Sequence, residues 1–213
     1  GQVMPDAVAI RTGNSILSYS DLNRKLNTMA EQLQSQNIKL LALYADNSPT
    51  WVIIDLACQK AGICLLPIPT FFSAQQINHS LQTSGADALI AALPISDNAE
   101  LQRLTLSLDD NLNFYKLLSN KSVRLPEGTA KITFTSGSTG NPKGVCLSNQ
   151  QMLNVAQSIV FTSPAEKIIK HLCVLPLAVL LENIGGVYSS LLIGSTIILL
   201  APEKVGFTGS SLF

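Results

Sequence analysis

Residues 132–145 read Ile-Thr-Phe-Thr-Ser-Gly-Ser-Thr-Gly-Asn-Pro-Lys-Gly-Val. The composition suits an anion-binding loop. An apolar, β-prone lead runs into small hydroxyl residues and glycines, then into Pro142, Lys143 and Gly144. Gly137, Gly140 and Gly144 let a backbone approach a ligand closely. Successive exposed N–H groups in such a loop form a nest for anionic oxygens. Thr135, Ser136, Ser138 and Thr139 add rotatable hydroxyl donors. Lys143 adds a compact positive charge, although a lysine at the end of such a loop can also simply face solvent. The bland alternative is a flexible Gly/Ser linker, but linkers have no need of an ordered Pro-Lys-Gly ending.

The loop is not a Walker A sequence. That pattern needs a second glycine where Pro142 stands and a metal-binding hydroxyl where Gly144 stands. The run Thr-Ser-Gly-Ser-Thr-Gly-x-Pro-Lys-Gly-Val instead resembles the signature of the adenylate-forming (AMP-binding) superfamily, which includes acyl-CoA synthetases, luciferases and the adenylation domains of peptide synthetases. The resemblance implies that Thr135, Ser136, Gly137, Ser138, Thr139, Gly140, Lys143 and Gly144 embrace the β- and γ-phosphates of ATP and the departing pyrophosphate.

A second stretch, Leu175-Pro176-Leu177-Ala178-Val179-Leu180-Leu181-Glu182-Asn183, resembles the motif that follows this loop in acyl-CoA synthetases, in its fatty acyl form. Val179 departs from the pattern by standing where the family commonly has histidine. The resemblance makes Val179, Glu182 and Asn183 candidates for the acyl pocket, which the following helix lines in the family. Read on its own, Glu182 in so apolar a segment must be solvated, hydrogen-bonded or neutral, and a capping role stands beside a functional one.

The elements that must position these residues follow from hydrophobic periodicity. Residues 7–11 and 15–18 read as short strands around Gly13-Asn14. A helix begins near Ser18 or Ser20, with Leu22, Leu26, Met29, Ala30 and Leu33 on one face. Residues 39–45 form a continuous apolar run, as expected of a strand covered on both sides. Ser48 followed by Pro49 opens a helix carrying Trp51, Ile54, Leu56 and Ala57 to Gly62. A strand over 63–68 follows, then a helix from Ser73 with Ala74, Ile77 and Leu81 inward, and a strand over 86–92. His79 reads as a surface histidine on the polar side of that helix.

Residues 94–128 give mainly turn signals, with a surface connection over 119–128 that is also a candidate subdivision of the chain. Asp109-Asp110 reads as a solvated turn rather than a metal site. Beyond the loop, Val145–Leu147 continues as a strand. Ser148 and Gln151 form a capping-box pattern, and the helix after them places Met152, Leu153, Ala156, Ile159 and Val160 together. Strands over 170–175 and 195–200 flank a last helix through Leu191 and Leu192. Alternating strands and helices at this spacing predict an α/β fold with a parallel sheet; the resemblance implies layered, parallel-rich sheets with flanking helices, the N-terminal portion of the adenylate-forming fold.

Composition narrows the function classes. The 213 residues are 46% hydrophobic, and 14 Lys plus Arg balance 14 Asp plus Glu. With no basic block, a nucleic-acid surface is not expected. Cys58, Cys64, Cys146 and Cys173 show no C-x-x-C spacing, and His79 and His171 stand apart in sequence. This pattern suggests buried thiols in a reducing compartment and gives no zinc or disulfide signature. The start carries no signal-peptide pattern. Residues 172–200 are apolar but broken by Pro176, Glu182, Asn183 and Gly185-Gly186. A buried helix and strand are expected there rather than a membrane span, so any membrane contact would be peripheral. The expected location is cytoplasmic.

The resemblance implies an ATP-dependent acid–thiol ligase. A carboxylate, with a fatty acid favoured, attacks the α-phosphorus of ATP, and a thiol such as that of CoA or a carrier protein then takes the acyl group. ATP, Mg2+ and CoA are the implied cofactors. The family's adenine site, ribose-binding aspartate, catalytic lysine and mobile C-terminal domain find no match, so residues 1–213 are read as an N-terminal fragment with no catalytic residue of its own and no activity alone. Two alternatives stand: a non-catalytic phosphate- or acyl-binding remnant of the fold, and an amino-acid adenylation domain of a peptide synthetase.

Overall fold

The computed structural model describes residues 4–13, 15–92, 101–104, 106, 112–118, 123–135, 142–163 and 168–200. The chain opens with the hairpin β1 (Val8–Thr12) and β2 (Ser15–Ser18), followed by α1 (Tyr19–Ser35), β3 (Leu40–Tyr44), α2 (Pro49–Ala61) and β4 (Cys64–Pro67). Next come α3 (Ala74–Ser84), β5 (Ala88–Ala91), β6 (Leu101–Leu104) and β7 (Asn113–Leu117). β8 (Thr129–Thr135) and β9 (Lys143–Ser148) flank the glycine-rich loop, and α4 (Asn149–Thr162) and β10 (Lys170–Cys173) follow. A π-helical segment, Leu181–Tyr188, then runs directly into α5 (Ser189–Ile193), and β11 is Thr196–Leu199.

The strands form two sheets, a seven-stranded one in the order β6-β7-β5-β3-β4-β8-β9 and a four-stranded one in the order β10-β11-β1-β2. The centre of the larger sheet is parallel (β5-β3-β4-β8), with antiparallel strands at both edges. In the smaller sheet β11 pairs in parallel with β1 and β10, while β1 and β2 are antiparallel. The expected parallel-rich α/β architecture is present.

Continuous apolar strands arise because the larger sheet is covered on both faces. Leu41, Leu43, Leu65 and Ile90 feed one core cluster, together with α1 and α2. Leu40, Ala42, Cys64, Leu66 and Leu89 alternate into a second cluster on the face where Ile77 and Leu81 of α3 pack. The same alternation on β8 sends Ile132 and Phe134 into the second cluster and turns Lys131 and Thr133 to the opposite face.

Helix starts follow local chemistry. Ser18, Ser48, Ser73 and Ser148 cap α1 to α4, each hydroxyl accepting the N–H three residues on. Ser73/Gln76 and Ser148/Gln151 are complete capping boxes. Gly62 ends α2 at φ 70°, where a side chain would be strained.

Three expectations are corrected. Ala74 lies exposed in the first turn of α3, and Leu153, 36% exposed, lies on the outer side of α4. In both helices a capping box sets the start. The region read as turns over 94–128 holds β6 and β7, which extend the sheet, β7 antiparallel to β5 and β6 antiparallel to β7. Strands this short and interrupted carry too little periodicity to see. The predicted last helix begins as a π-helix. Asp109 and Asp110 lie outside the described residues, and among those described no helix is long and apolar enough to cross a membrane.

Candidate nucleotide site and the polar clusters behind it

The glycine-rich loop is mounted on an antiparallel hairpin. Thr135 is the last residue of β8, Lys143 is the first of β9, and the two are register partners, as are Phe134 and Gly144. Thr135, Lys143 and Gly144 are exposed, and among the described residues Lys143 has no ion pair. Of the predicted phosphate contacts, these three therefore share one mouth of the hairpin. Ser136, Gly137, Ser138, Thr139 and Gly140 lie outside the described residues.

Gly144 has a packing reason to be glycine. A Cβ there would sit 3.1 Å from Phe134 Cζ and 3.2 Å from Ile132 Cγ2, closer than ordinary contact. The missing side chain lets the buried Phe134 ring close the hairpin from beneath.

His79 is not the surface residue that its helical position suggested. It is half-buried, its ring meets Phe134 edge-on with centroids 6.2 Å apart, and its Nε2 lies 3.1 Å from the Pro142 carbonyl, close enough to donate to it. One imidazole of α3 thus touches both arms of the hairpin. Beside it opens a polar cavity of about 840 Å³ lined by Ser73, Gln75, Gln76, Asn78, Gln82 and Pro142.

Behind the hairpin lies a cluster with no signal in the periodicity. Lys131 of β8 and Asp55 of α2 form an ion pair at 2.8 Å, each side chain only 1% exposed. Asn183 donates to Asp55 at 2.8 Å, and the Tyr188 hydroxyl donates to the same carboxylate at 3.0 Å. Lys131 donates to the Tyr188 hydroxyl at 2.9 Å and to Asn183 Oδ1, and Gln59 donates to the Tyr188 hydroxyl. The ammonium also stands 5.0 Å from the Tyr188 ring centroid. Burial and the Asp55 carboxylate push the Tyr188 phenol well above its ordinary pKa, so it stays a donor. Burial likewise raises the neighbouring Cys58 thiol. The cluster ties β8, the strand that leads into the glycine-rich loop, to α2 and to the π-helical segment.

The second motif is held by two further devices. Asn47, between β3 and α2, accepts the Leu177 N–H at 2.7 Å and donates to the Leu175 carbonyl at 2.8 Å, clamping the backbone around Pro176. Glu182 is buried and hydrogen-bonded. It accepts N–H bonds from Val174 at 3.1 Å and Leu175 at 2.9 Å, and its other oxygen meets His171 Nε2 at 2.6 Å. Burial works to raise the Glu182 carboxyl, but the His171 bond and the Leu175 N–H outweigh it and hold the group below its ordinary value. Val179 is half-buried in the turn before the π-helical segment, while Asn183 belongs to the Lys131 cluster. The three acyl-pocket candidates therefore point to different surroundings.

The profile of the AMP-binding enzyme family matches residues 1–212. The chain belongs to this family. Among curated relatives, bacitracin synthase 3 of Bacillus licheniformis is 32% identical over 70% of this chain and 2% of its own length. Gramicidin S synthase 2 of Brevibacillus brevis is 29% identical over 72% of this chain and 4% of its own. In fold the chain resembles o-succinylbenzoate CoA synthetase (MenE) from Bacillus subtilis, solved with the acyl-adenylate OSB-AMP, with TM-score 0.72 and 21% identity over 92% of this chain and 52% of that one. ATP-bound MatB from Rhodopseudomonas palustris gives TM-score 0.72 and 16% identity over 94% and 44%. The chain thus spans about half of these structures and a few per cent of the peptide synthetases. The AMP-binding family chain accordingly has the N-terminal architecture of adenylate-forming enzymes.

Among the residues that periodicity missed, Asp55 is the only charge in the otherwise apolar run 51–58, and Lys131 interrupts an apolar strand. A lone charge in a stretch that must be buried signals a partner. It does not say which partner.

Proposed function

We propose that this chain is the phosphate-gripping, N-terminal part of an AMP-forming acid–thiol ligase. The observation that supports this most directly is the hairpin mouth, where Thr135 and Lys143, the latter without an ion pair among the described residues, stand side by side at the two ends of a Gly/Ser/Thr loop. The substrate carboxylate attacks the α-phosphorus of ATP, giving an acyl-adenylate and pyrophosphate. Lys143 and the loop's donors neutralise charge developing on the leaving pyrophosphate. In the second step a thiol, CoA or a carrier-protein thiol, takes the acyl group and releases AMP.

Residues 131–135 and 142–148 contain an oxygen donor in Thr135 but no carboxylate. That fits Mg2+ held chiefly by the nucleotide's own phosphates; when bound, the ion would add charge neutralisation at those oxygens. Asn47 and Glu182 hold the 174–182 segment in position, and Val179, at its half-buried turn, is the candidate to face the acyl group. Glu182 and Asn183 shape that wall through their internal bonds.

The acid is proposed to be a fatty or related carboxylic acid, on the strength of the Leu-Pro-Leu-Ala stretch with its glutamate. A second reading, an amino acid, is favoured by the likeness in sequence to peptide synthetases. Acid-dependent exchange of labelled pyrophosphate into ATP tests both, with the protein that carries this chain offered fatty, aromatic and amino acids in turn. Exchange with fatty acids alone supports the first reading and exchange with amino acids alone the second. No exchange with any acid removes the ligase reading in favour of a non-catalytic member of the fold.

A further inference from the structure

His171, Cys173 and Glu182 take no part in the phosphate hairpin, yet the fold gathers them. Alternation along β10 places His171 and Cys173 on its inward side, with the exposed Leu172 between them. The π-helical segment brings Glu182 to the same side. The ring nitrogen, the sulfur and a carboxylate oxygen all lie within 4.8 Å of one another. We propose that these three side chains bind a divalent cation of the zinc class, as a site distinct from the nucleotide's magnesium. The inference does not depend on the ligase reading.

The donor set selects the ion. Zinc takes imidazole nitrogen, thiolate sulfur and carboxylate oxygen together, whereas magnesium demands oxygen ligands. Zinc's bond lengths put its ligand atoms roughly 3–4 Å apart, so on binding His171 Nε2 and Glu182 Oε1 would part from their present 2.6 Å while the set stays within its 4.8 Å span. The carboxylate is already oriented, because the Val174 and Leu175 N–H groups hold one oxygen and leave Oε1 facing His171 and Cys173. Such outer-shell donors tune metal ligands. Gly186 lets these groups approach the backbone, since an added Cβ there would collide with both Glu182 Oε1 and His171 Nε2. His171, with its side chain 31% exposed, marks the solvent side, where a water can complete four-coordination. π-Helical turns recur at functional sites, and this one supplies both Glu182 and Gly186. Bound there, the ion would fasten β10 to the segment that carries Asn183 and Tyr188.

The test uses the purified protein. Zinc is titrated in competition with a chromophoric chelator, and cobalt(II) is added separately to look for thiolate-to-cobalt charge-transfer absorption. One equivalent of zinc and a thiolate band are expected. Cys173→Ser and His171→Ala should each weaken zinc by more than about 100-fold, beyond the 10–100-fold typical of losing an outer-shell partner. Cys146→Ser, on β9 of the other sheet, should change neither readout. The cobalt spectrum of the unaltered protein decides the matter if a variant fails to fold. Binding well below one equivalent, a cobalt complex without the thiolate band, or affinity unchanged by Cys173→Ser would each overturn the site.

Discussion

Two lysines on one hairpin have opposite surroundings. Lys131 is sealed against Asp55, Asn183 and Tyr188, while Lys143, on the facing strand, stands exposed at the mouth with no ion-pair partner among the described residues. A charge already neutralised inside the protein can offer nothing to a ligand, so of the two lysines we propose Lys143 as the one to meet an anion. The sharpest break between them is in stability. Asp55→Ala leaves Lys131 buried and unpaired, which should cost about 3–5 kcal/mol in urea unfolding. Adding Lys131→Met to Asp55→Asn should recover most of that loss, since Asn keeps an acceptor for the Tyr188 hydroxyl. A cost below about 1 kcal/mol for Asp55→Ala would show that water reaches Lys131 and that the contrast is false.

Lys143→Ala should behave in the opposite way. Stability should change by less than about 0.5 kcal/mol, as for a surface site. Loss of one charge-assisted contact to a phosphate, about 1.5–3 kcal/mol, should lower kcat/KM for ATP in pyrophosphate exchange by roughly 10- to 150-fold. An unchanged nucleotide dependence would place Lys143 outside the site.

Between these extremes lies Gly144, which belongs to the mouth by exposure and to the core by contact. Gly144→Ala should press on Phe134 and Ile132 and cost about 1 kcal/mol, the low end for overpacking, because the position is open on its other side. Thermal unfolding measures this. No loss at all would mean that Phe134 swings aside freely and does not hold the hairpin closed.

The comparison also explains what could be read from the chain. The family was legible in the loop because its signature is local: glycines, hydroxyls, proline and lysine in one run. The central strands were legible because burial on both faces leaves a continuous apolar record. The caps were legible because Ser73/Gln76 and Ser148/Gln151 act over three residues. The Lys131–Asp55 pair was not, because its members are 76 positions apart and meet only after α2 and the π-helical segment pack on β8. The same holds for Glu182. Sequence could say that so buried a carboxylate needs partners, but not that β10 would supply His171 and the segment after it the Val174 and Leu175 amides. His79 was misread because helical phase reports which side of α3 is polar, not what the β8–β9 hairpin lays against that side.

His79 gives the smallest and most discriminating prediction. Its ring packs on Phe134 and its Nε2 reaches the Pro142 carbonyl, one residue before Lys143. His79→Leu keeps apolar bulk against Phe134 but removes the donor, so the stability cost should be that of one hydrogen bond, about 0.5–1.5 kcal/mol. If the bond only braces the fold, nothing else should follow. If it sets where β9 starts, Lys143 shifts with it, and KM for ATP should rise several-fold while KM for the acid stays unchanged. His79→Gln returns an N–H donor near the same point and should restore most of the ATP affinity. Equal changes in both KM values, or no rescue by glutamine, would confine His79 to packing and leave Lys143 positioned by the strand pairing alone.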